Sequence, residues 1–205
     1  MRYYMFNKPR GCVSACSDAR CKTVMDYFPE DEREGLFPVG RLDKDTEGFL
    51  IITDDGSFCY RINTPSFLVE KTYRFFAKGN FSEEKLLALE GGVSLKKNGG
   101  IVSAPAKAKY LGKSTMREIS SLVSDDEKKL KYTRKGDVEV THCSLTVTEG
   151  KKHQVKKMAA AVGLYIVYLE RIAIGGVNLD KNLKRGEYRP LTEIEIKTLL
   201  KENNS

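Results

Sequence analysis

At 205 residues, with 40% hydrophobic, 9% aromatic and 31% charged residues, the chain has the composition of a folded protein with a sizeable core and not of a disordered one. No apolar run approaches the roughly 18 residues that span a bilayer. The longest is Phe49-Leu50-Ile51-Ile52, and the N-terminus lacks the apolar segment and small-residue cleavage site of a leader, so a soluble cytoplasmic protein is expected. A formal charge of +7 and a pI near 9.1 point to a polyanionic partner without separating nucleic acid from acidic lipid.

In chain order, Tyr3 to Lys8 and Gly11 to Cys16 read as strands around the turn Pro9-Arg10-Gly11. Thr23 to Phe28 reads as a short helix stopped by Pro29. Gly48 to Thr53 is continuously apolar and rich in β-branched residues, the pattern of a strand buried on both faces, and Asp54-Asp55-Gly56 ends it. Lys71 to Ala77 is a further strand, and Ser82 to Glu90 a helix with Ser82 as N-cap and Gly91 past its end. Gly91-Gly92 and Asn98-Gly99-Gly100 bracket a hairpin.

Between Lys107 and Lys135 nine Lys or Arg face four acidic residues. A solvated hairpin extension is the plain meaning of such a run, and an RNA-contacting arm the alternative. Val138 to Thr148 resumes a strand, His153 to Val162 is a helix ended by Gly163, and Tyr165 to Ile174 is a strand. The last helix opens with Thr192 as N-cap and Glu195 three residues on, a capping box. Strands and helices mix without regular βαβ alternation, which predicts an α+β fold with a mixed, mainly antiparallel sheet flanked by helices. No interdomain linker is visible, so residues 1–205 are expected to form a single domain; no apolar surface stripe demands a second copy, so a monomer is expected.

The five cysteines, Cys12, Cys16, Cys21, Cys59 and Cys143, form an odd set without a CxxC pair, which suits reduced thiols. With only His142 and His153 to join them, they make a poor zinc set. The most informative segment is Gly40-Arg41-Leu42-Asp43-Lys44-Asp45-Thr46-Glu47-Gly48, a carboxylate-rich loop that feeds straight into the buried strand. A carboxylate held against a water-poor floor needs a compensating cation. Far along the chain, Glu149-Gly150-Lys151-Lys152-His153-Gln154-Val155-Lys156-Lys157-Met158 brings cations into a helix; if the segments meet, the carboxylate stays ionised and positioned as a nucleophile. Asp43, Asp45, Glu47, Gly48 and Asp54 also fall on the twelve-residue spacing of a calcium loop. The flanks argue against calcium: Phe37-Pro38-Val39-Gly40 is no amphipathic helix and Phe49 to Ile52 favours a strand.

These residues resemble the pseudouridine synthases, specifically the bacterial branch that modifies ribosomal RNA and includes the small-subunit enzyme. The resemblance runs over nearly the whole chain. Phe6-Asn7-Lys8-Pro9-Arg10-Gly11, the Gly40-to-Gly56 motif, Lys71-Thr72-Tyr73-Arg74, Glu149 to Met158, and Leu169-Glu170-Arg171-Ile172-Ala173-Ile174-Gly175 followed by Gly186-Glu187-Tyr188-Arg189-Pro190-Leu191 come in the family's order. It implies a catalytic fold of two subdomains around a central cleft and a reaction without cofactor or metal, in which an RNA uridine is detached at its ring nitrogen, rotated and rejoined through a ring carbon. Asp43 matches the family's catalytic aspartate, acting on the anomeric carbon or as a base that begins a glycal route. Tyr73 matches the tyrosine that packs on the base and takes part in proton removal. Lys156 falls where Arg or Lys pairs with the aspartate, Leu169 at an apolar position beside the base, and Arg41 at the arginine that fills the space left by the flipped nucleotide.

Taken singly, Asp43 reads as a turn brace, Tyr73 as a half-buried strand aromatic and Leu169 as core whether or not it touches substrate; the motif order reverses the reading for Asp43 and Tyr73. His153 and Gln154 read as residues that position their helix. Three departures stand out. Many relatives place a small RNA-binding domain before the catalytic part, whereas here the catalytic pattern starts within the first ten residues. Asp54-Asp55 replaces a pair whose first member is often neutral, a change expected to touch turn chemistry only. Lysine at 156 offers a point charge and not a planar fork. The competing readings are a non-catalytic RNA-binding or ribosome-assembly protein indifferent to Asp43, and a metal-dependent nuclease built from Asp43, Asp45, Glu47 and Asp54.

Overall fold

Two packed units emerge from the chain in a computed structural model that describes residues 1–96, 100–123 and 138–201. The first comprises Met1–Thr72, Thr148–Gly150 and Glu170–Ser205, and the second Tyr73–Val147 and Lys151–Leu169. The strands are β1 (Tyr3–Lys8), β2 (Phe37–Val39), β3 (Glu47–Thr53), β4 (Lys71–Lys78), β5 (Lys107–Thr115), β6 (Glu139–Val147), β7 (Tyr165–Ile174), β8 (Val177–Asn178) and β9 (Tyr188–Pro190). The helices, numbered here in order, are α1 (Gly56–Asn63), α2 (Glu83–Gly91), α3 (Ser120–Val123), α4 (Gln154–Ala161) and α5 (Glu193–Leu199). Among the described residues no helix is long and apolar enough to cross a membrane.

In the first unit β3 is buried at all seven positions, as its unbroken apolar run predicts. It pairs antiparallel with β1 from Tyr3↔Thr53 to Lys8↔Gly48, and with β2 from Phe37↔Thr53 to Val39↔Ile51. Its first residues run parallel to β7, Glu47 against Glu170 and Gly48 against Arg171. β9 covers the far side of β1. One core cluster gathers Met5, Phe49, Ile51, Phe58, Ile62 and Ile174. The helix α1 is absent from the sequence reading, which takes Asp54-Asp55-Gly56 as a plain stop. The Asp55 carboxylate instead accepts from the Ser57 and Phe58 amides at 2.9 and 3.0 Å, and Phe58 and Ile62, four residues apart, bury one face.

Gly11 to Cys16 is not a strand. Val13 makes a single parallel bridge to Thr23, and Ser14 turns its hydroxyl to Leu42, so the segment's polar groups are spent on loops and not on a ladder. The helix expected at Thr23 to Phe28 is a single 3-10 turn, Val24–Tyr27, whose Asp26 carboxylate accepts from the Thr23 amide at 2.7 Å. The C-terminal capping box is present as read. The Glu195 amide donates to Thr192 Oγ1 at 3.2 Å and the Thr192 amide to Glu195 Oε2 at 2.8 Å.

In the second unit the strand order is β5, β6, β4, β7. β5 and β6 pair antiparallel from Lys107↔Thr146 to Thr115↔Glu139, with an irregularity between Tyr110 and Gly112. Phe75, Leu89, Cys143, Leu145, Met158 and Leu169 share one core with α2 and α4, while Phe76, Met116, Val140 and Tyr168 form another. Ser82 caps α2 as expected, and the helix runs one residue further than read, to Gly91, with Gly92 at φ +89°. Where the sequence reads a hairpin, Ser94 and Val102 form an antiparallel bridge; residues 97–99 lie outside the described residues, as does the basic stretch beyond residue 123. The α+β class and the mixed, mainly antiparallel sheet are as the sequence predicts.

Candidate active site

Asp43 stands on a turn closed by the Thr46 amide, which donates to the Asp43 carbonyl at 3.0 Å. Three further ties fix that turn. Ser14 Oγ accepts from the Leu42 amide and donates to the Leu42 carbonyl, each at 3.0 Å. The Gly11 amide donates to the Lys44 carbonyl at 2.8 Å. Beneath the turn lies Lys8, 0% exposed, whose ammonium donates to the carbonyls of Pro9, Asp43 and Thr46 at 3.0, 3.1 and 2.9 Å. An ammonium has three hydrogens, and these three carbonyls use them all. The backbone under Asp43 is therefore held by a buried cation that the sequence shows only as the lysine ending an apolar strand.

Burial pushes the Lys8 amine down from 10.5 to about 8, against the opposing pull of Cys12, Glu47, Asp45 and Asp43. An unfolded chain restores the ordinary value, so between about pH 8 and 10.5 the unfolded state holds a proton that the folded state lacks. Stability from this group therefore rises with pH through that window, and the penalty for burying the charge is fully present below it. Urea unfolding of Lys8→Met beside the parent should show the parent gaining about 2 kcal/mol relative to the variant between pH 7 and 10. A gap that does not change with pH would refute the assignment. Turnover of the variant should fall about 10²-fold at either pH, because the turn loses its anchor.

Glu47, also buried, meets Arg185 at 2.8 Å. Asp54 accepts from the Arg2 amide and Nε at 2.7 and 2.9 Å, and Asp55 takes the Tyr3 hydroxyl at 2.6 Å besides capping α1. Asp54-Asp55 thus serves turn and cap chemistry, as expected. The segments around the acidic loop are the strands β2 and β3, not the helices of a calcium loop. Among the described residues no group of three or more His, Cys, Asp or Glu could hold a metal ion. Arg41 is exposed on the same loop as half-buried Asp43.

Tyr73, Lys156 and Leu169 belong to the second unit. Tyr73, on β4, packs against the cluster that contains Leu169 of β7, itself 4% exposed. Lys156 is half-buried on α4, with Val155 beside it and Met158 two residues on in the same cluster. Gln154 fixes the entry to α4: its Oε1 accepts from the Lys151 amide at 2.9 Å and its amide donates to the Lys151 carbonyl at 3.0 Å. His153 is the exposed N-cap, at φ +55°. Sequence reasoning missed Lys8, Ser14 and Arg185; a buried lysine and a serine hydroxyl that closes a loop carry no pattern of their own.

Comparison with known proteins agrees with this architecture. A family model described as RNA pseudouridylate synthase matches residues 2–161. The chain is 44% identical over 198 residues to the uncharacterized RNA pseudouridine synthase YtzG of Bacillus subtilis (strain 168), covering 96% of this chain and 72% of that one. It is 36% identical over 199 residues to ribosomal small subunit pseudouridine synthase A of Escherichia coli (strain K12), covering 97% and 74%. The crystal structure of a pseudouridylate synthase matches with a TM-score of 0.78 at 36% identity, over 97% of this chain and 73% of that one. The chain belongs to the RNA pseudouridylate synthase family. It is an RNA pseudouridine synthase, an isomerase.

Proposed function

We propose that this enzyme converts a specific uridine of ribosomal RNA to pseudouridine, with Asp43 as the nucleophile. The observation that carries the reading is the anchoring of the Asp43 turn by buried Lys8, which holds the backbone beneath the half-buried carboxylate on a rigid floor. The ribosomal target rests on the likeness to the small-subunit enzyme over 97% of this chain. In the reaction the bond from C1′ to ring nitrogen N1 breaks, the uracil turns, and C1′ bonds to C5. N1 gains a proton and C5 loses one, so atoms and electrons balance within one nucleoside and no oxidant or group donor is required.

Asp43 acts at C1′ directly or as the base that opens a glycal route. Lys156 is the cation assigned to pair with it, a point charge that orients the carboxylate. Tyr73 stacks on the freed base and assists removal of the C5 proton, Leu169 supplies an apolar wall, and Arg41 fills the stack that the flipped nucleotide leaves. Mapping pseudouridine in ribosomal RNA from cells with and without this protein tests the reading. One uridine should lose the modification on deletion and regain it when the gene is restored; identical maps would reject a ribosomal target.

A further inference from the structure

One face of the second unit's sheet carries the Phe76 and Val140 core cluster at one end and, further along β6, polar residues that the chemistry above does not use. Alternation along β6 sends Cys143, Leu145 and Val147 into the core and leaves His142, Ser144 and Thr146 half-buried on the other side. The antiparallel register sets Lys107 beside Thr146 and Lys109 beside Ser144, and both lysines are exposed on the edge strand β5. Arg74 of β4 lies close enough to His142 to act with burial, the larger cause, in holding its imidazole below the ordinary value.

Alternation and register put Arg74, Lys78, Lys107 and Lys109 on this face, whereas Lys113, opposite Thr141, and Glu139 fall on the other side and pair at 2.7 Å. Lysines on an edge strand also discourage pairing with another sheet. That role needs neither a hydroxyl beside each lysine nor a cation two strands inward. The register sets a lysine opposite a hydroxyl residue twice, two residues or about 7 Å apart along the strand. Tyr110, the exposed ring next to Lys109 in the chain, is paired with core-facing Cys143 on the opposite side and stacks on Phe81 at 4.0 Å, while Phe76 is 7% exposed and stacked with the His142 ring at 4.3 Å. A surface with cations and hydroxyls but no stacking platform suits phosphates and sugars and not bases.

We infer that this face, built on Lys107, Lys109, Arg74, Ser144 and Thr146, docks the sugar–phosphate backbone of an RNA segment outside the target nucleotide and adds affinity without reading sequence. The inference rests on RNA being the substrate and extends it to a second contact area.

The test is the salt dependence of binding of an in vitro transcribed small-subunit ribosomal RNA to Lys107→Gln/Lys109→Gln, with Lys181→Gln/Lys197→Gln as a control of equal net charge. The first variant should bind about tenfold more weakly near 0.1 M salt, and the slope of log affinity against log salt should shrink by about 1.4 to 1.8, two phosphate contacts' worth. Its turnover at saturating RNA should stay within about twofold of the parent while KM rises. The control should keep the parental slope. An unchanged slope in the first variant, or an equal loss in the control, overturns the inference. Loss of binding to anionic phosphatidylserine vesicles with the RNA slope intact would assign the face to a membrane surface and overturn it as well. Binding is read apart from conversion, so absence of pseudouridine in this RNA would count against the ribosomal target and leave the slope comparison to decide the docking face.

Discussion

Asp43→Asn should abolish conversion, lowering single-turnover isomerisation by about 10³-fold or more, while leaving the protein folded and RNA affinity within a few-fold of the parent. The amide keeps the size of the carboxylate but removes its charge and nucleophilic oxygen. The ties that hold the turn run through backbone: Lys8 Nζ and the Thr46 amide both donate to the Asp43 carbonyl, which the substitution leaves in place. The melting temperature should therefore move by less than about 4 °C, the equivalent of roughly 1 kcal/mol in a chain of this size. Because the C5 hydrogen leaves as the new bond forms, release of label from RNA carrying tritium at C5 of uridine reports the reaction directly. Conversion at the parental rate by cleanly purified variant would remove Asp43 from its assigned role, and collapse of the fold would show that its carboxylate braces the turn.

The contrast between Asp43 and Lys8 shows what a sequence discloses. The aspartate stands in a motif whose order along the chain identifies the family, and Tyr73 and Leu169 follow from strands that form where the apolar patterns put them. β7 spans Tyr165–Ile174, the same bounds that the pattern gives. Caps at Ser82 and Thr192 are equally legible, because their chemistry is confined to four consecutive residues. Lys8 is different: at the end of Tyr3-Tyr4-Met5-Phe6-Asn7 it looks like a surface lysine, and only the arrival of Asp43 and Thr46 from 35 and 38 residues away makes it a buried anchor. Arg185 meets Glu47 in the same non-local way. The helix α1 escaped for the opposite reason, since the aspartate that ends one element also begins the next. Residues 107–115 of the basic stretch are a strand with one irregularity, and their charge became informative only when the register set each lysine opposite a hydroxyl residue.

Gly48→Ala should destabilise the protein by about 3 kcal/mol or more, lowering its melting temperature by roughly 10 °C. Gly48, the second residue of β3, stands at φ +99°, a conformation that costs an L side chain strain even in open space. Here there is no space: a Cβ would collide with the Arg171 carbonyl oxygen and stand 2.9 Å from both the Arg171 amide nitrogen and Glu170 Cγ. These atoms belong to the strand that pairs with β3, whose register Glu47↔Glu170 and Gly48↔Arg171 depends on the close approach, and Arg171 is itself tied by its Nε to the Phe49 carbonyl at 2.7 Å. Neither backbone can yield without breaking that ladder. Since Asp43 lies only five residues before Gly48, any fraction that folds by displacing β3 should also turn over more slowly. Gly56→Ala is the matched control: it opens α1, a Cβ there meets nothing within 4 Å, and the change should be neutral or stabilising by up to about 1 kcal/mol. Thermal melts of the two variants side by side decide the matter. Equal melting temperatures would mean that the contact between β3 and β7 is looser than its geometry indicates.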